Sequence, residues 1–182
     1  MNFREIFYIS NLLSLSRVVL ILPIYYFLKM DTMTGSYWAV FLMLLVALTD
    51  TLDGRLARKL NQQSDFGRVV DPVADKVAIA VVALMLISLR DLPIWFLALV
   101  LTRDVAILVL GLFVISKKKI VIESQTIGKV TAFMLGTLMI VYTLDIPILK
   151  EILLWTNITL IPASSIVYFG KFKSLVGAAK QN

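Results

Sequence analysis

Six stretches of the chain are long and apolar enough, or nearly so, to cross a bilayer as helices: about 12–29, 36–58, 69–89, 92–115, 127–144 and 148–169. A span needs about 20 mostly apolar residues. A mean hydropathy of +0.89, with 59% hydrophobic residues, lies well above that of a soluble domain of 182 residues. The expected fold is an all-α integral membrane protein. Its six transmembrane helices form one bundle and one domain, residues 1–182. Breaker residues mark the short links: Asp31 to Gly35, Asn61 to Gly67, Asp91-Leu92-Pro93 and Asp145-Ile146-Pro147. Ahead of the first span, Met1 to about Ile9 reads either as a short amphipathic helix on the bilayer surface or as a frayed terminus. The N-terminal apolar stretch has no cleavage pattern of small residues, so it is not expected to be a removable signal.

Positive charge orients the spans. With a cytoplasmic N-terminus, the inside flanks hold Arg4; Arg55, Arg58, Lys59 and Arg68; Lys117, Lys118, Lys119 and Lys129; and Lys171, Lys173 and Lys180. The outside flanks hold only Lys29, Arg90 and Lys150, while Arg17, Lys76 and Arg103 fall within spans. Both termini are therefore expected in the cytoplasm. Topology explains most of the net charge of +6, and no nucleic-acid partner is expected. Trp38, Trp95 and Trp155 fall near the outer ends of spans two, four and six, as an interfacial belt would.

The chain has no Cys and no His. Disulfides, thiolate chemistry and Cys or His metal ligands are excluded. A metal would need oxygen ligands, which favours magnesium, manganese or calcium. A general base would be a carboxylate, Lys or Tyr.

The polar content concentrates between Asp50 and Asp75, in D-T-L-D-G-R-L-A-R-K-L-N-Q-Q-S-D-F-G-R-V-V-D-P-V-A-D. On a helix, Asp53 lies about 60° from Asp50, Gly54 about 40° and Ala57 about 20°, so one face carries two carboxylates and two small residues. Gly67, Asp71, Asp75 and Ala78 follow a second stripe. Two such helices face to face would ring a cavity with four carboxylates. Each carboxylate within a span costs roughly 2.5–3.5 kcal/mol on insertion scales. Arg55, Arg58 and Lys76 could supply some counter-charge, but two divalent cations would satisfy the four better. Pro72 has two readings: it makes the start of span three irregular, or it punctuates the first turn.

This stretch resembles the signature of the CDP-alcohol phosphotransferases, D-x-x-D-G-x-x-A-R-x8-G-x3-D-x3-D. Asp50, Asp53, Gly54, Ala57, Arg58, Gly67, Asp71 and Asp75 fill every fixed position. The resemblance implies a six-helix membrane enzyme, a homodimer, in the cytoplasmic membrane. It implies transfer of a phosphatidyl group from CDP-diacylglycerol to an alcohol, with release of CMP. Asp50, Asp53, Asp71 and Asp75 would hold two magnesium or manganese ions, and Asp75 would also be the general base. Gly54, Arg58 and Ser64 would contact the CDP moiety, and Asn11 and Ser14 match the family's polar stretch before the first span.

The acceptor is less sharply marked. N-L-L-S-L-S-R-V at 11–18, V-D-P-V-A-D-K at 70–76, Arg103-Asp104 and Gly128-Lys129 look most like phosphatidylglycerophosphate synthases, whose acceptor is glycerol 3-phosphate. The run G-K-V-T-A departs from their G-K-x-K-T, and Gly111-Leu112-Phe113 stands where a basic residue is usual. An Arg-Asp pair in span four also resembles CDP-using cardiolipin synthases. A phosphorylated acceptor needs cations. Arg103 and Lys129 are the candidates, with Arg68 and Lys76 behind them. For Arg103 the alternative is a structural pair with Asp104 or another Asp; for Lys129 it is a solvated flank. Lys117 to Lys119 mark the membrane edge and would attract anionic lipid headgroups. The competing class is a divalent cation carrier, which needs a polar path to the far side. The outer halves of the spans lack one.

Overall fold

The computed structural model describes the backbone of residues 9–59, 65–118 and 125–177, and the side chains of 19–49, 76–111 and 125–174. The described residues form six helices: α1 (Ile9–Lys29), α2 (Met33–Lys59), α3 (Asp65–Arg90), α4 (Ile94–Lys118), α5 (Thr126–Leu144) and α6 (Pro147–Gly177). In each of α4, α5 and α6 an apolar stretch is long enough to cross a membrane: Ile94–Gly111, Thr126–Leu144 and Pro147–Ser174. Among the described side chains, α1 contributes the apolar stretch Val19–Lys29 and α2 the stretch Met33–Thr49. Helix α2 has 27 residues and α3 has 26, about 40 Å each at 1.5 Å per residue. The N-terminal surface helix considered above falls on residues outside those described.

The chain divides into two compact units, Met1–Leu92 and Pro93–Asn182. In the first, both α2 and α3 pack on α1. Ile24 and Leu28 of α1, Ala39 of α2 and Ala83 and Leu86 of α3 are buried. Gly35 lets α2 start against α1, since a Cβ there would stand 2.5 Å from the Phe27 carbonyl oxygen. Thr32 caps α2: its Oγ1 accepts the Gly35 N–H at 3.1 Å. Gly35 thus lies in the first helical turn, not in the link where its type suggested.

In the second unit, α6 is the shared helix, packed by α4 and by α5. Phe96 and Val100 of α4, Leu135 and Leu138 of α5 and Ile161 of α6 are buried. Several polar side chains here bond within their own helix or across one contact. The Thr131 and Thr143 hydroxyls donate to the Ile127 and Met139 carbonyls on their own helix. Asn157, fully buried on α6, donates through Nδ2 to Leu153 O at 2.8 Å and across to Met134 O of α5 at 3.2 Å.

Three links share one backbone device. Asp31, Asp91 and Asp145 each adopt a left-handed backbone, with φ of 50°, 59° and 56°. Asp tolerates that region better than most residues because its short polar side chain bonds locally. At Asp145 the geometry is that of a Schellman closure. The Asp145 N–H bonds Tyr142 O at 3.2 Å and the Ile146 N–H bonds Val141 O at 3.4 Å. Pro147 then opens α6 at a position whose N–H needs no helical partner. Asp145 also pairs with Lys150, and Arg90 pairs with Asp31. Neither cation is merely a membrane flank.

Candidate active site

Helical backbone runs through both halves of the aspartate motif. Asp50, Asp53, Gly54, Ala57 and Arg58 belong to the last turns of α2. Asp71 and Asp75 belong to α3, one turn apart. Each acidic pair therefore shares a helix face, as the spacing required. The side chains of these residues, and of Asn11, Ser14 and Arg68, lie outside the described set, as does the whole of Ser64. Pro72 does not punctuate the first turn. Helix α3 begins at Asp65 and continues through Pro72, so the proline is interior to it. The adjacent Arg68 carbonyl gains no bond from it, because proline has no N–H to give.

Four carboxylates with no nitrogen or sulfur donor beside them form the donor set that hard divalent cations take. In chemical type, Asp50, Asp53, Asp71 and Asp75 fit two such ions. Among the described side chains, no group of three or more acids, His or Cys stands together.

The second unit contains a different polar centre, and here the side chains are described. Arg103, the tenth residue of α4, is only 13% exposed, and Asp104 is 6% exposed. Arg103 Nη1 donates to Asp104 Oδ1 at 2.7 Å. Neighbours on a helix diverge by about 100°, so the long Arg side chain must wrap round to make this bond. Arg103 Nε donates to Ser164 Oγ of α6 at 3.3 Å. Ser164 is fully buried and its own hydroxyl donates to Ile161 O at 2.9 Å. The pair with Asp104, weighed above as the alternative for Arg103, is therefore present. It uses only part of the guanidinium: Nη2 makes no hydrogen bond to a described residue.

Lys129 is exposed, on the first turn of α5, in keeping with the solvated-flank reading but leaving its amine accessible. Lys76 is half-buried on α3. Next to Lys129, Gly128 has a packing role. A Cβ there would stand 2.5 Å from the Tyr168 hydroxyl, and that hydroxyl accepts the Gln125 N–H at 3.2 Å. Tyr168 of α6 thereby closes the start of α5. Neither Ser164 nor Tyr168 carried a signal in the sequence. Each is one of several polar groups on α6, and nothing local marks which of them meets a partner far away along the chain.

Residues 7–163 match the family described as CDP-alcohol phosphatidyltransferase. A CDP-diacylglycerol–glycerol-3-phosphate 3-phosphatidyltransferase of Aquifex aeolicus is 38% identical over 125 residues, covering 68% of this chain and 68% of that protein. A probable phosphatidylglycerophosphate synthase of Mycobacterium tuberculosis is 36% identical, over 69% of this chain and 60% of its own length. A CMP-forming cardiolipin synthase of Streptomyces coelicolor is 34% identical, over 56% of this chain and 49% of its own. The chain thus spans about half to two thirds of these relatives. The family match covers most of the chain and contains the whole aspartate motif, so the chain belongs to the CDP-alcohol phosphatidyltransferase family.

Proposed function

We propose that this transferase moves the phosphatidyl group of CDP-diacylglycerol to glycerol 3-phosphate, giving phosphatidylglycerophosphate and CMP. The observation that carries the acceptor is the likeness, over 125 residues, to the Aquifex protein named for that reaction. The proposed setting is the cytoplasmic membrane, with both termini and the aspartate motif on the cytoplasmic side and the chain acting as a homodimer.

In this reading Asp50, Asp53, Asp71 and Asp75 hold two magnesium or manganese ions. When bound, such ions neutralise the diphosphate and stabilise the departing CMP. The acceptor hydroxyl is a poor nucleophile near neutral pH. Asp75 accepts its proton as the oxygen attacks the phosphorus that bears diacylglycerol, and the bond from that phosphorus to the CMP oxygen breaks. Arg58 donates charge-assisted bonds to phosphate, and Gly54 leaves room for the nucleotide to approach. Asn11, Ser14 and Ser64 complete the nucleotide contacts. Arg103 and Lys129 receive the phosphate of the acceptor, supported by Arg68 and Lys76.

A second reading has one observation behind it. The Streptomyces relative is named a cardiolipin synthase, which would make phosphatidylglycerol the acceptor. The two readings separate in one assay: CMP release by purified protein with CDP-diacylglycerol and magnesium, against glycerol 3-phosphate, inositol 1-phosphate, inositol, serine and phosphatidylglycerol. Release with glycerol 3-phosphate is the expected result; release with phosphatidylglycerol alone selects the second reading. Asp75→Asn should lose about 10²–10⁴-fold in turnover while retaining CDP-lipid binding. Near wild-type turnover in that variant would remove Asp75 from the role of base.

A further inference from the structure

Arg103 is held from two sides, and the two holders differ in kind. Asp104 neutralises the guanidinium through Nη1 at 2.7 Å. Ser164 adds no charge. It takes Nε at 3.3 Å, from a different helix. The Ser164 proton is already committed to Ile161 O at 2.9 Å. The hydroxyl therefore presents Arg103 with lone pairs only, an acceptor of fixed direction in a fully buried position. The guanidinium is planar and rigid, so holding Nε and Nη1 fixes the plane and aims Nη2. With no bond to a described residue, Nη2 retains two N–H donors in the geometry that suits a phosphate oxygen.

We propose that Ser164 is a positioning residue for acceptor recognition. It acts through Arg103, setting the plane in which the guanidinium meets the phosphate of the acceptor. The proposal rests on the reading above that Arg103 contacts that phosphate. Without Ser164, Arg103 would keep its charge and its partner Asp104 but could rotate about the remaining bond. The loss would fall on the phosphorylated acceptor, with little effect on CDP-diacylglycerol.

The test is a double-mutant cycle on the full chain in detergent with magnesium. CMP release would be followed while glycerol 3-phosphate and CDP-diacylglycerol are varied in turn. Ser164→Ala should raise KM for glycerol 3-phosphate by about tenfold and leave KM for the CDP-lipid within about twofold. Arg103→Ala should raise the acceptor KM by about a hundredfold. The double variant should match Arg103→Ala alone, because a residue acting only through Arg103 has nothing left to position. Should the alanine variant not fold, Ser164→Cys fills nearly the same space with a poorer acceptor and serves the same comparison. An unchanged acceptor KM, equal rises for both substrates, or additive effects in the cycle would each overturn the proposal and leave the proposed function standing. A wild-type protein that releases CMP with no phosphorylated acceptor would overturn both.

Discussion

Among the described residues, each unit buries an arginine against an aspartate and a serine, and the two arrangements differ in where the aspartate sits. Arg90, the last residue of α3, is 8% exposed; its partner Asp31 lies in the α1–α2 link and is 80% exposed. Its Nη2 also donates to the buried Ser36 of α2 at 3.3 Å. The cluster thus ties the end of α3 to the link between its two companions, with the anion in solvent. Around Arg103 all three groups lie within helices and all are largely buried. An ion pair at a helix end needs no purpose beyond fastening. One inside a membrane helix carries a desolvation cost, and apolar packing would fill the same space as well or better. That cost is in keeping with the acceptor-binding role proposed above for Arg103.

The largest expected effect tests that contrast directly. Asp104→Ala leaves a buried guanidinium without its anion and should cost about 3–5 kcal/mol, read as lost thermal stability in detergent. The paired replacement Arg103→Met with Asp104→Leu should restore stability but not use of a phosphorylated acceptor. If the paired variant stays as unstable as Asp104→Ala, the cluster is structural and the contrast between the units fails.

Glycine substitutions sharpen the comparison at the next level. Gly35→Ala drives a Cβ against the Phe27 backbone oxygen, which moves only with its helix. A cost of about 1–3 kcal/mol is expected. Gly128→Ala meets the end of the Tyr168 side chain, which can swing away at the loss of its bond to the Gln125 N–H. About 1 kcal/mol is expected there. Melting curves for the two variants should rank in that order. The smallest effect belongs to Asp31→Asn, which keeps the left-handed preference and removes the charge. With Asp31 mostly in solvent, the loss should stay below about 1 kcal/mol. A loss as large as that of Asp104→Ala would show that the clasp and the buried cluster are not different in kind.

Local chemistry was legible in the sequence where the signal was local. The apolar runs located the helices, and Asp91-Leu92-Pro93 and Asp145-Ile146-Pro147 were read correctly as links because breakers and left-handed formers coincide there. Gly35 misled, because a glycine used for close helix approach looks the same in sequence as a glycine used for a turn. Of the two readings of Pro72, first-turn punctuation fails because α3 begins earlier, at Asp65. The motif placed its aspartates on two helix faces, and α2 and α3 carry them as helical backbone. The orientation of Arg103 could not be foreseen. It depends on Ser164, 61 residues further along, and no periodicity connects one hydroxyl to one guanidinium across two apolar helices.

The left-handed aspartates also bear on how such a chain is made. In the topology proposed above, the links at Asp31 and Asp145 are parts that must pass through hydrocarbon during synthesis. They are so short that the flanking helices have little freedom to enter separately. Asp145 travels with Lys150, five residues further on. That reversal brings its own counter-ion, so the pairing that fastens the finished link also offsets its charge as it crosses.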